Sequence, residues 1–263
     1  MQKPMLVFFL CFLVLTGCAR DKAGTGITVA GSTSVQPFAD KWAEVYMEEN
    51  PGKIVNVQGG GSSAGIQATK SGACNIGTSS RELKPDEKDL TEIVVARDGL
   101  AIIVHPLNPI DNMTIDQVKS IFNGKIRNWR ELGGKDKLIT VVTREEGSGT
   151  RGAFQELVMK KDRVAKNAIV QDSNGTVREI VAGDPNAIGY ISLGLVNDKV
   201  RALKLNGVQA TDENIISRKY KLVRPFLFVT KSEPTPACRE FINFVQSAEG
   251  QKLVSEEGLI PVK

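Results

Sequence analysis

Thr143-Arg144-Glu145-Glu146-Gly147-Ser148-Gly149-Thr150-Arg151 lies between two segments of different character. Before it, Leu138-Ile139-Thr140-Val141-Val142 is a short apolar run that predicts a buried strand. After it, Gly152-Ala153-Phe154-Gln155-Glu156-Leu157-Val158-Met159 spaces its apolar residues as a helix does. A strand, a Gly/Ser/Thr loop and a helix start together suit a small oxyanion. The first N–H groups of a helix lack internal partners, and its dipole favours negative charge there. Ser148 and Thr150 add hydroxyl donors, Gly147 and Gly149 permit close approach, and Arg144 brings a forked cation. A capped helix on a surface turn would use the same Ser-Gly-Thr, so the rest of the chain has to decide between the two.

The construction recurs twice upstream. Ile27-Thr28-Val29-Ala30 reads as a strand, Gly31-Ser32-Thr33-Ser34 as a turn, and Phe38, Trp42, Val45 and Tyr46 recur at helical spacing up to Asn50-Pro51-Gly52. Three consecutive hydroxyls exceed what one helix cap needs. Lys53 to Gln58 alternates as a strand and runs into Gly59-Gly60-Gly61-Ser62-Ser63-Ala64-Gly65, with a helix expected from Ile66. That loop lacks the Lys-Ser/Thr ending of a nucleotide phosphate loop. A fourth strand end, Asn75-Ile76-Gly77-Thr78, meets the polar turn Ser79-Ser80-Arg81.

Composition bounds the class. The chain has 263 residues, 41% hydrophobic and 24% charged, enough for two compact lobes. Its net charge of +4 is mild, and basic and acidic residues are interspersed, so nothing points to nucleic acid. At the N-terminus, Lys3 and the apolar run Met5–Leu15 read as a targeting segment, too short to span a bilayer comfortably. It ends in Leu15-Thr16-Gly17-Cys18, similar to a bacterial lipobox, with Cys18 as the residue to be lipidated. Residues 1–17 are thus expected to be a signal peptide and 18–26 a tether, leaving a lipid-anchored body outside the cytoplasm. Cys74 and Cys238 then remain as an even pair in an oxidising compartment. A disulfide and two buried thiols read alike at this level.

Strands and helices alternate along the chain, which predicts α/β architecture. Ile93–Ala96 and Gly99–Val104 read as separate strands, and Pro106 and Pro109 break the pattern. Beyond them come a helix with Ile115, Val118, Ile121 and Phe122, the polar turn Asp172-Ser173-Asn174-Gly175-Thr176, and the strand Ala187–Ser192. Leu222–Thr230 is a long apolar strand whose Pro225 suggests an edge or crossing segment. Two lobes are expected, 27–104 with 225–263 and 105–224, crossed near Val104–Pro109 and Leu222–Pro225. The two C-terminal helices should return to pack on the first lobe.

With Ala30-Gly31-Ser32-Thr33, Lys41-Trp42, Gly59–Ser63, Ile76–Arg81, Gly124-Lys125-Ile126 with Trp129, Arg144–Thr150 and Asp184–Ile191 in order, the chain resembles a known family. It is similar to the phosphate-binding lipoproteins of bacterial phosphate ABC transporters, bilobal periplasmic binding proteins of type II. The resemblance runs from Ile27 to the C-terminus. It implies a mixed sheet flanked by helices in each lobe and a dehydrated phosphate clamped in the cleft between them, for delivery to a membrane permease. Carried over by position, the ligand set is Thr33, Ser34, Ser62, Ser80, Arg144, Ser148, Gly149 and Thr150, with Ser32 and Arg81 as additional candidates. Glu146 stands where the family often braces its arginine with a carboxylate. Some members carry Asp where this chain has Ser80, which leaves phosphate-over-sulfate selectivity open. A monomer without cofactor or metal is implied.

An enzyme reading finds little support. A serine hydrolase needs a base beside its nucleophile, and nothing pairs His105, the only histidine, with Ser148 or Ser62. Cys74 and Cys238 stand alone, without zinc-ligand spacing. A binder of sulfate or molybdate, or a sensor on the same scaffold, stays open at this stage.

Overall fold

The computed structural model describes residues 26–262. The signal segment, Cys18 and tether residues 18–25 lie outside that range. In chain order the elements are β1 (Ile27–Gly31), α1 (Gln36–Glu49), β2 (Val55–Gln58), α2 (Ser62–Ser71), β3 (Ile76–Ser79) and β4 (Thr91–Val104). They continue with β5 (Asn112–Met113), α3 (Ile115–Phe122), β6 (Thr140–Arg144), α4 (Gly149–Phe154), β7 (Ile169–Gln171) and α5 (Asn174–Gly183). The chain closes with β8 (Ala187–Ser192), β9 (Arg201–Ala202), β10 (Lys204–Leu205), α6 (Asp212–Ile216), β11 (Val223–Thr230), α7 (Pro236–Val245) and α8 (Ala248–Ser255).

The strands hydrogen-bond in the order β2-β1-β3-β11-β4-β8-β6-β7, with β9 also pairing β4, while β5 and β10 pair by themselves. This order contains the same arrangement twice. β1 lies parallel between β2 and β3, and β6 lies parallel between β7 and β8. Antiparallel β11 and β4 join the two groups. β4 is therefore one strand, not the two read from sequence: it pairs with β11 through Gly99 and with β8 from Leu100 onward. The charged Arg97-Asp98 interrupts its apolar pattern without interrupting the strand. β11 is the return crossing. Pro225 is tolerated there because β3 pairs only with Leu227–Val229, so β11 has β4 alone beside the proline.

Each half has its own core, as expected of a two-lobed fold. Trp42, Tyr46, Phe226, Phe228 and Phe241 form the first, with α7 and α8 packed on α1 as the sequence reading expected. Trp42 is fully buried and its Nε1–H donates to Gly250 O at 2.7 Å. Truncating such a side chain costs roughly 3–5 kcal/mol. The second core centres on Phe122, Phe154 and Tyr190, the last two stacked at 4.0 Å. Leu138, expected in a buried strand, is 73% exposed, because β6 starts two residues later.

Cys74 and Cys238 are both buried free thiols, which settles against the disulfide. Cys74 sits beneath α2, its Sγ 3.4 Å from Thr69 Oγ1, whereas Cys238 belongs to the α1/α7 core. The alternating residues of β11 show the separation: Phe226 and Phe228 face the Cys238 cluster, and Leu227 and Val229 pack with Ile66 of α2. The sheet stands between the two sulfurs. Burial pushes the Cys74 thiol pKa up, which keeps it protonated.

Candidate functional site

The carboxyl ends of β1, β3 and β6 converge, and the turns that follow them build one polar cluster. Ligands of open α/β sheets bind at such strand ends. The Gly-rich loop is shaped by backbone need: Gly60 and Gly61 have φ of 132° and 92°, values that side chains oppose. That kink starts α2 at Ser62, four residues before the helix expected from sequence, and so puts Ser62 and Ser63 in its first turn. Across the cleft, the Ser148 hydroxyl caps α4 by accepting from Arg151 N at 3.2 Å. Gly149 and Thr150 then occupy the first helical positions, where amides have no partner inside the helix.

The two sides touch. A Cβ built on Gly149 would stand 2.1 Å from Ser62 Oγ and 2.5 Å from Ser80 Oγ. Ser63 N donates to Gly147 O at 3.1 Å, and Ser34 Oγ lies 2.7 Å from Thr150 Oγ1. Ser32 Oγ donates to Ser80 Oγ at 2.8 Å, and Ser80 N donates to Ser62 Oγ at 3.1 Å. Ser32, Ser34, Ser62, Ser80, Ser148 and Thr150 are all buried, with Thr33 at the rim. Of the expected ligand residues, Ser32, Thr33, Ser34, Ser62, Ser80, Ser148, Gly149 and Thr150 therefore join this cluster.

Arg144 lies at its centre and is 1% exposed. Tyr190, anchored in the second core, sets its backbone: the phenol oxygen accepts from Arg144 N at 3.3 Å and lies 2.7 Å from Thr143 Oγ1. Nε donates to Gln171 O at 3.1 Å and Nη2 to Asp172 O at 2.7 Å and Thr33 Oγ1 at 3.2 Å. Nη1 is buried and has no hydrogen-bond partner among the described residues. An unpaired guanidinium N–H in the interior is costly.

Two candidates move out of the site. Glu146 does not brace Arg144; Glu145 does, its two oxygens each 3.1 Å from Nε and Nη2. Ser148 N bonds Glu145 O, so Glu146 occupies the tip of that turn and points outward, 92% exposed and 3.7 Å from Arg151. Arg81 is also turned away from the cluster. Its guanidinium forks onto Glu87 at 2.7 and 2.9 Å and bonds Glu82 O, touching the cleft only through Ser63 Oγ at 3.4 Å, while its stem crosses Gly152. Burial raises the Glu87 carboxyl, but bonds from Arg81 and the Lys84 amide outweigh it and hold the pKa below the usual value.

The sequence reading missed a second buried layer. Asp98 of β4 and Arg224 of β11 are cross-strand partners, joined at 2.8 Å, and both are almost wholly inaccessible. Burial pushes the Asp98 carboxyl up, against Arg224 and the Ser192 hydroxyl, which favour its ionised form. Arg224 Nη1 donates to Ser80 O at 3.2 Å and Nη2 to Ser34 Oγ at 3.2 Å. Asn174, read as part of a polar turn, is the first residue of α5 and donates from Nδ2 to Ser34 Oγ at 2.8 Å. Asp98 and Arg224 had a signal in the sequence: a charge inside each of two apolar strands is unusual unless the charges pair.

Comparison with known proteins agrees with this geometry. The PBP superfamily domain matches residues 18–249. Phosphate-binding protein PstS of Bacillus subtilis (strain 168) is 39% identical over 249 residues, 92% of this chain and 83% of that protein. Phosphate-binding protein PstS of Borreliella burgdorferi is 31% identical over 273 residues, covering 98% of each. A solved Clostridium perfringens structure with bound phosphate, named as a phosphate ABC transporter substrate-binding protein, aligns with a TM-score of 0.88. The two are 45% identical over 90% of this chain and 100% of that one. An ABC-type phosphate transport receptor from Vibrio cholerae gives a TM-score of 0.76 at 40% identity, over 89% and 99% of the two chains. With matches spanning nearly the whole length at these identities, the chain belongs to the PstS family of phosphate-binding proteins within the PBP superfamily.

Proposed function

We propose that this protein captures inorganic phosphate between its two lobes outside the cytoplasm and delivers it to an ABC permease. The observation that carries the reading is the buried, unpartnered Arg144 Nη1 amid hydroxyls drawn from both halves of the sheet. Hydrogen bonds to a charged group are worth about 1.5–3 kcal/mol each. Several of them offset dehydration and leave about −8 kcal/mol, which is micromolar binding. Because the donors come from both sides of the cleft, the closed state alone makes all the contacts, and phosphate shifts the population toward it.

The lobe limits 27–104 with 225–263 and 105–224 belong to this proposal. The partner exchange at Gly99 favours a crossing inside β4 itself. Anchoring through a lipid on Cys18, a monomeric state and docking of the closed form on the permease complete the reading. Labelling with radioactive palmitate, lost in Cys18→Ala, tests the anchor. Sulfate as the preferred ligand is the second reading, motivated by Ser80, which brings no carboxylate to repel a fully ionised anion. Calorimetry with phosphate, sulfate and their competition decides between them. Phosphate binding should fall at least tenfold in Arg144→Ala; unchanged affinity would sink the site. The same titrations with a phosphomonoester should release no phosphate, since this is a binding and not a catalytic site.

A further inference from the structure

Ser34 is completely buried, and its one oxygen has three polar neighbours. Asn174 Nδ2 donates to it at 2.8 Å and Arg224 Nη2 at 3.2 Å. Thr150 Oγ1 lies 2.7 Å away. The two nitrogens are donors by chemistry, and neither is free to turn. The Asn174 amide is oriented by its Oδ1, which accepts from Ser192 N at 3.3 Å. The Arg224 fork is held by Asp98 Oδ2 at 2.8 Å and by Ser80 O at 3.2 Å, and Asp98 Oδ1 in turn accepts from Ser192 Oγ at 2.8 Å.

A hydroxyl has one hydrogen to give and two lone pairs to receive with. Asn174 and Arg224 fill both lone pairs of Ser34, so its hydrogen can only be donated. Thr150 Oγ1 is then the acceptor of the 2.7 Å contact, and the Thr150 hydrogen is left for the cleft. We propose that Arg224 and Asn174 are positioning residues that fix Ser34 as an obligate donor to Thr150, so that Thr150 presents its own hydrogen to an anion. Ser32, in the same turn as Ser34, repeats the device. Its oxygen accepts from Ser34 N at 3.2 Å and Val35 N at 3.4 Å and its hydrogen goes to Ser80 Oγ, which keeps the Ser80 hydrogen for the cleft. Neither Arg224 nor Asn174 has to touch the anion for this. The layer also crosses the seam, since Ser34 and Ser80 flank the first strand group and Thr150, Asn174 and Ser192 the second.

The inference rests on the phosphate reading, and a double-mutant cycle separates the two. Phosphate is titrated calorimetrically, into the millimolar range, against wild type, Ser34→Ala, Arg224→Lys and the double variant, after thermal melts establish folding. Lysine can pair with Asp98 but has no planar fork to hold Ser34 and Ser80 together. Arg224→Lys should weaken binding about tenfold in the wild-type background and less than twofold in the Ser34→Ala background, because its effect passes through that hydroxyl. An equal loss in both backgrounds, or no loss in either, overturns the inference. If Arg224→Lys does not fold, Asn174→Ala in the same cycle carries the same two expectations. A wild-type chain that does not bind phosphate sinks the phosphate reading and this inference together; phosphate binding with an additive cycle sinks the inference alone.

Discussion

Gly149→Ala places one methyl group where the two lobes meet. The added Cβ would stand 2.1 Å from Ser62 Oγ, 2.5 Å from Ser80 Oγ and 3.0 Å from Ser62 Cβ, all inside ordinary contact distance. These atoms belong to the opposite wall of the cleft, so the overlap exists only in the closed state. The two serine oxygens are buried and hydrogen-bonded, and neither can retreat without losing a bond. Overpacking of this kind costs about 1–3 kcal/mol. Charged against closure, it weakens phosphate binding roughly five- to 150-fold. The open form has no such clash, and replacing Gly by Ala in a helical position restricts the unfolded chain, worth about 0.4–1 kcal/mol in favour of the fold. The ligand-free melting temperature should therefore stay level or rise while affinity falls. Calorimetry and ligand-free thermal melts on the same preparation read the two quantities. Gly147→Ala is the internal control, since its Cβ would meet nothing nearer than Ser63 Cβ at 3.9 Å, and its affinity should stay within twofold. Gly149→Ala binding phosphate within twofold of wild type would refute the steric argument, as would a fall in the ligand-free melting temperature by several degrees.

Three further outcomes follow from the geometry. Glu145→Gln should weaken phosphate binding severalfold by loosening Arg144, while Glu146→Gln, at the exposed tip of the turn, should leave it within twofold. Glu87 has its pKa lowered in the folded state, so it stabilises the protein above the ordinary carboxylate value and loses that contribution as pH falls through the folded one. Glu87→Gln should accordingly melt lower than wild type at pH 7, with the gap closing on acidification; a gap that widens in acid contradicts the assignment. Denatured protein treated with iodoacetamide without reductant should carry an adduct on both Cys74 and Cys238, read by peptide mapping.

Much of the site was legible in the sequence because its parts are local. Each of the three loops is a short stretch in which glycine and serine, joined by threonine in two of them, follow a strand, and backbone chemistry alone suits such a stretch to an anion. The choice between neighbours was not legible. Glu145 and Glu146 differ by one position, and which one reaches Arg144 depends on the turn closed by Ser148 N on Glu145 O. Arg81, expected as a further ligand contact, instead met the Glu87 carboxylate presented by the short turn Pro85–Glu87. Cys74 and Cys238 looked alike in composition, and only the sheet between them kept them apart.

The sequence by itself determined the alternation of strands and helices, the three hydroxyl loops and Arg144 as the central cation, since these depend on periodicity and on residues close together in the chain. The tertiary structure alone decided what lies behind the loops. Asp98, Arg224, Asn174 and Ser192 are up to 126 residues apart in sequence, counting Asp98 to Arg224, and meet only because β4 and β11 run side by side through both lobes. A hydrogen-bond network of that kind depends on directions and distances of a fraction of an ångström, which the folded backbone sets and a residue pattern does not encode.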